Sequence, residues 1–148
     1  MKLQSQGGFL IAKIHQLAGR IFSKLLKKHQ IEINPAQGRI MFVLWRNDNI
    51  PIQELAKRTS LSKTTLTSML DRLEIMGYIA RVPSKDDRRK ICIKLTEKDK
   101  SLHEKYRQVS LEMTELFYLG MSKEEIDIFE KKLEKTYKNL IAAEKNLK

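Results

Sequence analysis

The chain has 148 residues, 41% of them hydrophobic, and 29 Lys and Arg stand against 18 Asp and Glu, giving a formal net charge of +11. That suits one domain of ordinary size with a fillable core, and so large a surplus asks for a polyanionic partner, nucleic acid before an anionic membrane. A single cysteine, Cys92, excludes an internal disulfide framework, and the lack of a long apolar run or a signal peptide with a small-residue cleavage site makes the cytoplasm the default location, with no membrane contact expected.

The surplus is uneven. Residues 1–50 hold 8 Lys and Arg against 2 Asp and Glu, residues 51–95 hold 10 against 5, and residues 96–148 hold 11 against 11. Whatever meets the polyanion is expected in the first two-thirds, while the neutral last third is suited to folding or association.

Residues 9–29 read as a helix, because Leu10, Ile14, Leu17, Ile21 and Leu25 recur at spacings of three and four, widened by Ile11, Ala18 and Phe22. Asn34, Pro35 and Gln37 form a helix-start signal with capping-box spacing, and a second helix runs from there to about Arg46. "NDN" breaks it. Pro51 opens a third helix with Ile52, Leu55 and Ala56 facing inward, and "TSLS" is a short turn. Ser62 caps a fourth helix, "KTTLTSMLDRLEIM", which Gly77 ends. "YIARV" and "ICIKL" read as two strands joined by the polar loop "PSKDDRRK", a hairpin. Thr96 is expected to cap a long helix from about Glu97 to Leu119, with Leu102, Tyr106, Val109, Met113 and Leu116 forming a heptad-like seam. After Gly120, Ser122 and Glu125 start a last helix with the stripe Ile126, Phe129, Leu133, Tyr137 and Leu140. The fold class is therefore mainly α with a small β-hairpin wing.

A short helix, a tight turn, a second helix and a hairpin with a basic tip make a winged helix-turn-helix. On the fourth helix, Leu66, Met69, Leu70 and Leu73 fall on one side, and Thr64, Thr67 and Ser68 on the other. Ser62, Lys63 and Thr65 lie at its start, where a recognition helix meets base edges, and Arg72 lies where a phosphate is the better partner. Hydroxyls read base edges, and threonine methyls pack on thymine methyls. A helix that needed only solubility would use Glu, Lys and Gln, which are better helix formers than Ser and Thr. At the hairpin tip, Arg88, Arg89 and Lys90 are candidates for a narrow, electronegative minor groove; taken alone they would be an ordinary solvated charge run.

"INPAQ…VLW", "IQELAKRTSLSKTTLTSMLDRLEIMGYIAR", "DDRRKICIKLTEK" and the two long C-terminal helices together resemble the MarR (multiple antibiotic resistance regulator) family of bacterial transcription factors over nearly the whole chain. The resemblance implies one MarR-type domain over 1–148: a DNA-binding lobe at about 34–95, and homodimerisation helices at about 1–33 and 96–148. It implies double-stranded DNA as partner and a near-palindromic operator. It makes Arg89 the arginine of the minor groove and Asp87 the carboxylate that holds it. Arg88 and Lys90 become phosphate neighbours, and Arg81 a contact of the DNA backbone. Two departures from the family stand out: Ser60 where many such turns have glycine, and Ser68 where some members carry arginine.

Many members of that family release DNA when a small aromatic or phenolic anion binds. Here Phe9, His15, Arg20, Phe42 and Trp45 are plausible near such a pocket, but they are equally core or dimer residues, so the effector site stays unknown. A hydroperoxide sensor of the family type would carry its cysteine near the start of the first helix. Cys92 instead sits between Ile91 and Ile93, and if these point inward it points outward. His15, His29 and His103 are scattered without ligand spacing, so no metal is expected. No cofactor and no catalytic residue are expected either: there is no nucleophile–base pair, no paired carboxylates in an apolar setting and no phosphate-binding glycine loop. The competing function is a basic winged-helix interaction module, an adaptor or RNA-associated protein without operator specificity.

Overall fold

The computed structural model describes residues 5–147. Along them run α1 (Gly7–Lys28), α2 (Pro35–Arg46), β1 (Ile50–Pro51), α3 (Ile52–Thr59), α4 (Lys63–Ile75), β2 (Ile79–Pro83), β3 (Ile91–Leu95), α5 (Asp99–Phe117) and α6 (Lys123–Asn146). The chain forms two compact units, one ending at Met113 and the other beginning at Thr114, so α5 belongs to both.

In the first unit, α2 starts where the capping box places it. The Asn34 side chain accepts from the Gln37 amide at 2.8 Å, and the Gln37 side chain accepts from the Asn34 amide at 2.9 Å. The box satisfies two donors that a helix start otherwise leaves orphaned. Ile40, Met41 and Leu44 of α2 are wholly buried. They meet Leu55 of α3, Leu66, Leu70 and Leu73 of α4, Ile79 of β2 and Ile93 of β3 in one core. Each such side chain contributes about 1.5–3 kcal/mol, an upper bound that ignores burial in the unfolded chain.

The sheet has the order β1-β3-β2, antiparallel throughout. The hairpin of β2 and β3 forms as expected, with Arg81 opposite Ile93 and Val82 opposite Cys92. The strand β1 was not expected. It places Pro51 opposite Cys92 on the other side of β3, which becomes the central strand. This overturns the expected facing of Cys92: the thiol is buried at 6% exposure between Pro51 and Val82, while Ile91, at the outer end of the wing, is 38% exposed.

Two expectations for α5 also change. Thr96 does not cap it; its hydroxyl donates to the Gly77 carbonyl, and α5 begins only at Asp99. The heptad-like stripe is divided. Leu102, Tyr106 and Val109 are buried in the core of the first unit, whereas Leu116 is 53% exposed. A seven-residue repeat does not tell a core stripe from a partner-facing one, because both need the same spacing. α1 divides likewise: Leu26 is buried, and Phe22 and Leu25 pack against the core, but Leu10, Ile14 and Leu17 are 47%, 42% and 50% exposed.

In the second unit, Gly120 turns the chain at φ 83°, and Ser122 and Glu125 complete a reciprocal capping box for α6. Phe117, Tyr118 and Phe129 pack edge-on or tilted, with ring centroids 4.9–6.2 Å apart. The Tyr118 hydroxyl donates to Glu130 at 2.6 Å, and that bond pushes its pKa up to about 12. No residue of α6 is buried, and its stripe stands open at Tyr137 and Leu140. Among the described residues no helix is long and apolar enough to cross a membrane.

Candidate nucleic-acid interface

α3 and α4 meet through the turn at Ser60 and Leu61. Ser60 adopts the left-handed conformation, φ 56° and ψ 25°, that glycine reaches without steric cost. The turn is supported from below. Thr59 is buried and its hydroxyl donates to the Leu55 carbonyl at 2.8 Å, while Arg39 donates to the Thr59 carbonyl at 3.1 Å.

Ser62 caps α4 as expected: its oxygen accepts from the Thr65 amide at 3.2 Å, and its hydroxyl lies 2.9 Å from the Thr65 hydroxyl. Both hydroxyls are therefore engaged at the helix start. The wheel holds. Leu66, Leu70 and Leu73 are buried, and Thr64, Thr67 and Ser68 are exposed on the opposite side; Lys63 in the first turn and Arg72 further along are exposed too. Met69 is half-buried, and its sulfur accepts from the Asn34 side chain at 3.6 Å.

The wing loop is closed by the Ser84 amide donating to the Lys90 carbonyl and the Lys90 amide to the Asp87 carbonyl, both at 2.9 Å. One Asp87 oxygen accepts twice from Arg89, from the amide at 3.0 Å and from Nε at 3.3 Å. The Arg89 side chain is nonetheless 92% exposed. It is thus oriented at its base and free at its tip. Arg88 and Lys90 are exposed beside it.

Arg81 has partners that sequence did not suggest. Its guanidinium donates to Glu74 and to Asp71 of α4, each at 2.8 Å, and only 26% of the side chain is exposed. Burial weighs against its charge, but the two carboxylates outweigh burial and raise its pKa above the usual value. Asp48 was also missed: its Oδ1 accepts from the Leu95 amide at 2.8 Å and so fixes the end of β3.

A separate open cavity of about 250 Å³ lies between α2 and α5, lined by Phe42, Trp45, Arg46, His103, Tyr106, Arg107 and Ser110. Of the residues suspected from sequence, Phe42 and Trp45 line it; Phe9, His15 and Arg20 do not. His103 stacks on Trp45 with centroids 4.4 Å apart, and Arg46 lies over the Phe42 ring at 4.6 Å. The Trp45 indole donates to both oxygens of buried Asp99 at 2.9 and 3.0 Å. Burial raises the Asp99 pKa, while that bond and the His103 charge oppose the rise. Among the described residues no group of three or more His, Cys, Asp or Glu is placed to hold a metal ion.

The comparisons agree with this geometry. Residues 33–91 match the model of the MarR family. The organic hydroperoxide resistance transcriptional regulator of Bacillus subtilis is 32% identical over 105 residues, 71% of this chain and 70% of that protein. The HTH-type transcriptional regulator TtmR of Methylorubrum extorquens is 33% identical over 100 residues, 68% of this chain, which spans half of that relative's length. A mutant MarR from E. coli, solved in complex with operator DNA, superimposes with a TM-score of 0.77 at 26% identity, covering 87% of this chain and 91% of that one. With a winged helix-turn-helix, an oriented wing arginine and relatives of this similarity, the chain belongs to the MarR family of transcriptional regulators.

Proposed function

We propose that the protein is a homodimeric, sequence-specific reader of double-stranded DNA that represses transcription from the cytoplasm and leaves its operator when a small aromatic anion binds. The observation that carries this reading is the Asp87–Arg89 pair, an exposed arginine whose base is fixed by a neighbouring carboxylate. A free arginine loses much rotamer entropy on entering a groove, and a restrained one loses less. α4 supplies the major-groove reader, with Lys63, Thr64, Thr67 and Ser68 towards base edges and Arg72 towards phosphate. Ser62 and Thr65 hold the start of that helix in shape.

The open apolar faces of α1 and α6 support a second copy as partner. A two-fold dimer asks for half-sites about one helical turn apart. The cavity between α2 and α5 supports the effector class. Its aromatic walls suit a planar ring, and Arg46 and Arg107 suit a carboxylate or phenolate. The hydroperoxide response in the Bacillus relative's name is not carried over, because the single cysteine here is buried in the wing.

The test begins with the wild-type protein selecting duplexes from a randomised pool. Binding to the selected duplex should survive excess random-sequence DNA and weaken steeply with salt. Arg89→Ala should lose roughly ten- to hundredfold in affinity. Asp87→Ala should also bind more weakly, although it makes the protein more basic. Unchanged affinity of Arg89→Ala, or no duplex that survives competition, would sink the reading and favour the interaction module.

A further inference from the structure

A recognition helix gains nothing obvious from carrying acids towards a polyanion, yet α4 carries Asp71 and Glu74, both exposed, within a turn or two of Thr67 and Ser68. Both carboxylates end on one guanidinium. Arg81 reaches back from β2 by seven residues to Glu74 and by ten to Asp71. It therefore spans the junction between the recognition helix and the wing, and its two ion pairs approach α4 from the first strand of the hairpin.

The rest of that junction is fastened too. Gly77 turns at φ 88°. Its amide donates to the Glu74 carbonyl and the Tyr78 amide to the Leu73 carbonyl, both at 3.0 Å, the paired bonds of a glycine-ended helix. Lys98 donates to the Met76 carbonyl at 2.7 Å and lies over the Tyr78 ring at 5.1 Å. The Thr96 hydroxyl donates to the Gly77 carbonyl. These contacts fix the backbone at the hinge. Ile79 packs in the core with Leu70 and Leu73, and the Arg81 clamp adds a tie from the strand to the side of the helix further out, where a small change of angle moves the wing tip most.

We infer that Arg81 is a positioning residue that locks the wing to the recognition helix at one angle, and that Asp71 and Glu74 serve DNA reading by holding it. This rests on the DNA-reading function proposed above. Two of its five N–H donors already go to carboxylates, which also neutralise its charge and hold it against α4, so it is a weaker phosphate ligand than a free arginine. The clamp sets the spacing between the major-groove reader and the minor-groove arginine, and thereby which duplex shapes satisfy both at once.

The two roles predict opposite signs. Asp71→Asn combined with Glu74→Gln removes two negative charges facing DNA. If Arg81 were a phosphate ligand, freeing it in this way would tighten binding. If it is a clamp, the double variant loses about tenfold in affinity for the duplex selected by the wild type, yet holds or gains affinity for random-sequence duplex. Arg81→Lys, which keeps the charge but cannot span both carboxylates, should show the same split to a smaller degree. Circular dichroism and the thermal midpoint check that both variants fold, and Arg81→Lys decides the matter if the double variant does not. Tighter or unchanged binding of the selected duplex by a folded variant overturns the clamp. Failure of the wild type to select any duplex refutes the DNA-reading function itself and is seen before any variant is made.

Discussion

The winged helix-turn-helix lobe and the terminal helix α6 treat similar apolar stripes in opposite ways. Leu44, Leu55, Leu73 and Ile93 of the lobe are wholly buried by one another. On α6, an equally regular stripe leaves Leu133 37% and Leu140 64% exposed, and no residue of that helix is buried. Contiguous exposed apolar surface of this kind marks an interaction site in a soluble protein. Within one chain the lobe buries its stripe and α6 does not, which is what the dimer proposed above requires. Charge points the same way: the surplus lies in residues 1–95, and the last third is neutral.

The sharpest way to break the contrast is to make α6 polar. Leu133→Lys with Leu140→Lys should turn the dimer proposed above, two chains of 17.3 kDa, into a monomer by analytical ultracentrifugation. Losing the second half-site contact should cost roughly 10²–10⁴ in operator affinity. A variant that stays dimeric would show that the stripe is not the contact surface.

The complementary experiment perturbs the lobe and leaves α6 untouched. Gly38 in α2 faces the buried ring of Tyr106. A Cβ there would fall 2.8 Å from two ring carbons and closer still to the hydroxyl. The ring cannot easily yield, because Phe22 and Trp45 pack on it with centroids 5.6 and 5.0 Å away. In an open helix Gly→Ala gains about 1 kcal/mol. Here the clash should reverse the sign and destabilise the lobe by about 1–3 kcal/mol in denaturant titration. A more stable variant would show that the ring has room to move.

These two regions also differ in how far they could be read in advance. Caps and wheels were legible because they depend on residues three or four apart: Asn34 with Gln37, Ser122 with Glu125, and Leu66, Leu70 and Leu73 against Thr67 and Ser68. The Asp87–Arg89 pair came from the resemblance to the family's Asp-x-Arg pattern, not from spacing alone. What stayed hidden depends on distant parts of the chain. The two-residue strand β1 carries no periodicity, so the burial of Cys92 beneath Pro51 was invisible. The division of the α5 stripe between core and surface is set by α2, and the link from Thr96 to Gly77 is set by how the wing folds back. The lining of the cavity, Arg46 and Arg107 included, needs α2 and α5 side by side. The Arg81 clamp was hidden differently: its partners are near in sequence, but they lie across the junction of a helix and a strand, where neither period applies.

The smallest expected effect concerns Asp99 at the start of α5, the one buried acid among the described residues. Burial raises the pKa of Asp99 above its usual 3.8. The folded state then holds that proton more tightly than the unfolded state. Between the two pKa values the folded state binds more protons, so stability falls as pH rises through the window that opens near 3.8 and extends upward. At neutral pH the ionised carboxylate weighs against the fold, even though the Trp45 indole donates to both of its oxygens. Asp99→Asn keeps an acceptor for the indole and removes the charge. Its thermal midpoint should match the wild type within about 2 °C at neutral pH, and it should gain on the wild type as pH rises from about 4. A variant uniformly less stable across that range would mean that ionised Asp99 supports the fold, through Trp45 and the start of α5.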